Sequence, residues 1–143
     1  MSIAQGICTS FKEELFKGTH KFDGSQTFRV ALYGSTADLN VSTTAYTSSG
    51  EVSGTNYVAK GATSAPTMTT DGSMVIIDFA DVSWSSSTIT ARGALLYNDT
   101  SSGDKSVAVL NFGEDKKSSA STFTIKFPTP NDIDGFIRIT SSG

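Results

Sequence analysis

The chain of 143 residues has one cysteine, one histidine, one tryptophan and three prolines. A single thiol, Cys8, cannot close an internal disulfide, which fits synthesis in a reducing cytosol. One histidine, His20, comes with no Ser or Cys motif, so no nucleophile and base pairing of the hydrolase kind can be read from the sequence. Charge is also scarce, at 17% of residues, with a net formal charge of −3. No Lys/Arg stripe stands out, and that argues against a nucleic-acid partner, whose phosphates demand clustered cations. No apolar run reaches the ~18 residues of a membrane span. The opening MSIAQGICTSFKEELF lacks a charged region followed by an apolar stretch, so no secretion signal is expected. Glycine-rich phosphate loops, zinc spacings and nucleophile elbows are missing as well.

Hydroxyls fill the space. Serine contributes 22 positions and threonine 19, with 13 glycines. A chain of this size forms one domain and can bury a core of its own. The composition suits antiparallel strands with polar outer faces. One helix is expected over TSFKEELFKG, residues 9–18. Ser10 is placed as N-cap with Glu13 at capping-box spacing, and Gly18 is placed as the C′ residue. Ile7, Phe11 and Leu15 recur every four residues. A helix this short needs a surface to lean on, either its own sheet or a neighbouring subunit. Residues 1–20 are therefore read as a helical arm and 21–143 as the β domain.

TFRVALY (27–33) alternates, with Phe28, Val30 and Leu32 on one face. Residues 34–64 are Ser/Thr/Gly-rich with isolated apolar anchors. They are read as an excursion holding one or two short strands, pinned by its tyrosines. APTMTTDGSMVIIDFADVSW (65–84) is read as a hairpin that folds back at Asp71-Gly72, and its returning strand MVIIDF is apolar enough to be central. STITARGALLY (87–97) and SVAVLNFG (106–113) form a second hairpin, and STFTIKFP (121–128) and GFIRITS (135–141) add two strands. The resulting expectation is all-β: an antiparallel sandwich or flattened barrel of about seven to eight strands with one short N-terminal helix. Gly93-Ala94-Leu95-Leu96-Tyr97 does not alternate, so that strand is covered on both sides, inside the sandwich or at a subunit boundary. Gly93 marks a bulge or close backbone approach. Arg92, at the junction, is expected at a sheet edge, either reaching water or paired with Asp78 or Asp81.

No catalytic, cofactor-binding or metal-ligating set is assigned. The acidic loops NDTSSGD (98–104) and NDIDG (131–135) are read as turns, because calcium needs six or more oxygens on a correctly bent loop. Trp84 is read as a plug at the end of the sandwich, with sugar stacking as the alternative.

The phrases CTSFKEELFKGTHKF, TFRVALYGSTADLNVSTTAY, EVSGTNYVAKG, STITARGALLYND and VAVLNFGEDKKSSASTFTIKFP resemble a family of small structural proteins of tailed bacteriophages. DFADVSWSSSTITARGALLYND resembles it most closely, and Arg92, Gly93 and Asp99 match its recurrent phrase. The resemblance spans nearly the whole chain and implies a virion component without enzymatic activity, made in the host cytoplasm. The leading expectation is a capsid decoration or cement protein, self-associating and bound to the major capsid protein. A tail, fibre or adaptor component, and a receptor- or carbohydrate-binding module, are the alternatives. Phe11, Leu15, Arg92 and Tyr97 are the candidate interface residues.

Overall fold

The computed structural model describes residues 2–127 and 137–139. The acidic loop 131–135 and Phe136 lie outside the described residues. Among the described residues eight strands and one helix follow one another: β1 (Gly6–Ile7), α1 (Thr9–Phe16), β2 (Phe28–Tyr33), β3 (Ala62–Thr63), β4 (Pro66–Asp71), β5 (Met74–Phe79), β6 (Val82–Asn98), β7 (Ser106–Ile125) and β8 (Ile137–Ile139). They make two antiparallel sheets, β1-β7-β6-β2-β3 and β4-β5-β8. Among the described residues neither sheet closes on itself. The fold is all-β and sandwich-like, as the composition led us to expect.

Phenylalanines join the layers. Phe28 of β2 stacks on Phe22 at 4.9 Å between ring centroids and meets Phe79 of β5 edge-on at 5.6 Å. Phe11 of α1 closes the group at 6.1 Å from Phe22. Each ring removes a large apolar area from water, and tilted or offset contacts add to that burial. The most apolar strand, β5, is indeed the middle strand of its sheet.

Several local expectations need correction. The N-cap is Cys8, not Ser10, and no side chain caps the helix. Strand pairing decides this. Ile7 is held opposite Ala108 on β7, and the Cys8 N–H donates to the Val107 carbonyl at 2.9 Å, so Cys8 is the last extended residue. Ser10 falls inside the helix, and Glu13 instead meets Lys17 one turn later at 2.6 Å. The helix end is as expected. Gly18 sits at φ +77°, its N–H donates to Leu15 O and that of Thr19 donates to Glu14 O, the paired bonds of a Schellman motif.

The first hairpin turns at Gly72-Ser73, because Asp71 still pairs with Met74. Val82–Trp84 does not belong to that hairpin. It begins β6, a strand of 17 residues, and β7 runs unbroken for 20 residues through both SVAVLNFG and STFTI. The polar stretch between them reads as loop because its side chains are exposed, but its backbone stays in the β6–β7 ladder through bulges. Gly93 is at one of those register shifts. A Cβ there would lie 2.5 Å from the Leu110 carbonyl oxygen and 2.9 Å from Ile3. The bulge and the close approach are therefore both present.

Residues 3–20 pack onto the β domain within the chain. Ile3 bridges Leu39, β1 pairs with β7, and Ile3, Cys8 and Phe11 belong to the same hydrophobic core as β2 and β6.

Candidate functional site

The four candidate interface residues separate. Phe11 is 2% exposed and Tyr97 fully buried, so neither side chain offers surface to a partner. The apolar run around Tyr97 lies in the chain's own core, with the Tyr46 ring 5.2 Å from that of Tyr97 and β2 and β7 paired along the two strand edges. Leu15 is half-buried. With Phe11, Phe22, Met68, Val75 and Ile77 it lines an apolar groove of ≈ 360 Å³ between α1 and the smaller sheet. Met68, beside it, is 55% exposed, and Phe16 on the same helix 94%.

Arg92 pairs with neither Asp78 nor Asp81. Its Nε donates to Asp115 Oδ1 at 2.9 Å, across the β6–β7 ladder. Sequence reasoning looked to the preceding hairpin, whereas the partner lies in a bulge on the strand that follows. The pair is more than one-third exposed on both sides, so water competes and screening is strong. Arg92→Met is expected to change unfolding free energy by no more than about 0.5 kcal/mol. A denaturant melt checks this; a loss of several kcal/mol would mean that the pair is desolvated.

Asp78 is buried, and its Oδ1 has no hydrogen-bond partner among the described residues. Burial, with a smaller contribution from Asp81, raises its pKa above the usual carboxylate value. Because the folded state holds this proton more tightly than the unfolded state, stability falls as pH rises from the unfolded value of about 3.9 through the raised folded one. Asp78→Asn should therefore melt above the parent at pH 7, the gap closing as pH approaches about 4. A gap of constant size across that range would refute the assignment.

Buried His20 and Asn98, with half-buried Glu14 and Gln26, form a polar chain that the sequence did not reveal. His20 Nε2 lies 2.9 Å from Glu14 Oε1, and Nδ1 lies 3.0 Å from Asn98 Nδ2. Asn98 Oδ1 accepts the backbone N–H groups of Thr100 and Ser101, so its amide nitrogen is the donor toward Nδ1 and also toward Gln26 Oε1. Nδ1 then accepts, and the imidazole carries its proton on Nε2, donated to Glu14. Phe11 packs on the ring at 4.9 Å. The arrangement joins the helix exit to the turn after β6, and no hydroxyl or thiol nucleophile takes part in these bonds. Cys8 is fully buried, and burial pushes its thiol pKa up, away from the reactive thiolate.

The tyrosines hold the 34–64 excursion, as expected for Tyr46 and Tyr57, and Tyr33 and Tyr97 join them. The Tyr46 and Tyr57 hydroxyls both donate to the Glu51 carboxylate, which also accepts the Lys60 backbone N–H at 2.8 Å. Tyr57 Oη accepts the Leu32 N–H, Tyr33 donates to Thr47 O, and Tyr97 donates to Lys60 O. Burial first, and Glu51 second, raises the Tyr46 pKa to about 12. Trp84 is 6% exposed, between Tyr57 and Phe123, so its ring faces protein. The aromatic residues that suggested a sugar platform are thus committed to the interior or to the loop clamp.

Asp99 and Asp104, the carboxylates of the 98–104 loop, face Arg29 at 3.1 Å and Lys60 at 2.8 Å. Among the described residues no three His, Cys, Asp or Glu side chains gather in a way that could hold a metal ion.

No family model, curated protein or solved structure matches the chain.

Proposed function

We propose that this chain is a structural component of a tailed-bacteriophage virion, a decoration or cement protein on the outside of the head. The observation that carries the reading is the apolar groove beside α1, with Met68 of its wall 55% exposed. An apolar surface that a small domain leaves uncovered is characteristic of a contact surface. The sequence resemblance supports the same reading. Its phrases fall on α1, β2, the tyrosine-held loop and the β6–β7 hairpin, so what is shared is frame rather than chemistry. Glu14 is bonded to His20 and Glu51 to two tyrosine hydroxyls, while the buried Asp78 Oδ1 has no hydrogen-bond partner among the described residues. A protein whose task is to persist and to touch its neighbours needs nothing more reactive.

Quantitative mass spectrometry of purified particles tests this. A decoration protein is expected in numbers proportional to the major capsid protein. A stoichiometry of a few copies would reassign the chain to the tail or to an adaptor, and its absence from particles would end the virion reading.

A further inference from the structure

β7 does not run straight beside β6. From Asn111 to Lys116 it advances five residues while β6 moves only from Gly93 to Ala91. The four residues Phe112 to Asp115 lie opposite Arg92 alone and form a bulge. Ala120, at φ +47°, marks a second irregularity farther along, with Ser86 at φ +49° on the facing strand. Bulges bend the strand that carries them and sharpen its twist. As a result, stretches of β7 that lie far apart in sequence line one groove of ≈ 550 Å³, together with the residues just past its end. Arg92 has a role here, because its bond to Asp115 ties the first bulge down.

The lining is unusual for an acidic chain. Lys116, Lys117 and Lys126 line the groove, and among the described residues no Asp or Glu does. Lys116 is shared with Glu114 at 3.2 Å. Lys117 and Lys126 have no carboxylate partner among the described residues. Phe112, Phe123 and Phe127 supply apolar wall. Like charges in a concave wall focus a field on anions. The backbone specifies the shape of the occupant. β1 covers the outer edge of β7 only at Ala108 and Val109, and no other described strand continues along that edge. Gln5, the residue before β1, lines the groove, so the groove opens where β1 leaves the edge. A strand edge recruits extended backbone, while flanking side chains choose the sequence.

We infer that this groove docks an extended acidic segment of a partner protein, added alongside β7 with carboxylates on Lys117 and Lys126 and an apolar side chain against the phenylalanine wall. This partner chemistry holds whether or not the chain sits on a phage head.

The test uses the full chain and a fluorescein-labelled peptide of alternating aspartate and leucine, followed by fluorescence anisotropy. Saturable binding that weakens with added NaCl is expected, with amide chemical shifts moving in 111–127. The K117E/K126E variant, altered only at exposed side chains, should bind at least about tenfold more weakly with an unchanged melt. Lys21→Glu, outside the groove, should bind like the parent. The inference fails if binding does not saturate, if the double reversal leaves it intact, or if shifts cluster elsewhere. It also fails if an oligothymidylate of equal length binds more tightly than the peptide, since that would make the groove a nucleic-acid site.

Discussion

Deleting residues 2–17 is expected to unfold the protein, not to leave a β domain without its arm. The segment contributes Ile3, Cys8 and Phe11 to the common core. It also supplies the only described strand on the outer edge of β7 and the bridge from Ile3 to Leu39. Burying a large apolar side chain contributes about 1.5–3 kcal/mol, against a total stability for such domains of about 5–15 kcal/mol. Removal would also uncover Phe22 and the His20 ring, both packed by Phe11, and take Glu14 away from His20. The expected result is loss of the cooperative thermal transition and of dispersed amide signals. The gentler Phe11→Ala should cost about 3–5 kcal/mol, as for other buried phenylalanines. Phe16→Ser, on the exposed side of the same helix, should stay within about 0.5 kcal/mol. A truncated protein that still melted cooperatively near the parent temperature would show that the first turn of the chain is an appendage after all.

Glu51→Ala should be the most damaging single change outside the core. One carboxylate receives the hydroxyls of Tyr46 and Tyr57 and the Lys60 N–H. Tyr57 in turn braces β2 by accepting the Leu32 N–H at 3.0 Å. Hydrogen bonds to a charged acceptor are worth more than neutral ones, and donors left behind in a half-buried place lose their water as well. The combined loss is expected at about 2–4 kcal/mol. Glu51→Gln, which keeps one acceptor oxygen, should lose less. A double-mutant cycle with Tyr57→Phe should show coupling of about 0.5–3 kcal/mol. Proteolysis should strike residues 34–64 first in Glu51→Ala. Additive effects of the two changes, or cleavage elsewhere, would mean that the clamp does not hold the excursion.

The sequence by itself determined what depends on neighbours along the chain. The alternation of Phe28, Val30 and Leu32 placed β2. The apolar run Met74–Phe79 marked the middle strand of the smaller sheet, and Gly18 ended the helix. Gly93 announced a tight backbone approach. These are local rules of periodicity, turn chemistry and left-handed conformation, and they act over a few residues. The scarcity of charge and the hydroxyl content gave the all-β class in the same way.

What depends on register was decided only in three dimensions. Ser10 has the chemistry of a cap, but pairing of Ile7 with β7 moved the start of the helix to Cys8. Asp78 and Asp81, at the end of the preceding strand, were the partners that hairpin pairing suggested for Arg92. The bulge in β7 brought Asp115 instead, and an extra residue in one strand has no marker strong enough to be read beforehand. Tyr97 looked available for a partner because its strand is apolar on both faces; the chain's own core, with Tyr46 against the ring, already covers it. His20 stood alone in sequence, although Asn98, a bonding partner 78 positions away, fixes its proton. The lysines of the groove are dispersed among exposed strand residues, and only the bends of β7 turn them to one wall. Backbone hydrogen bonding is indifferent to side-chain identity, so a strand can slip, bulge or continue through a polar stretch at small local cost. Where it does so is settled by the packing of the whole sheet.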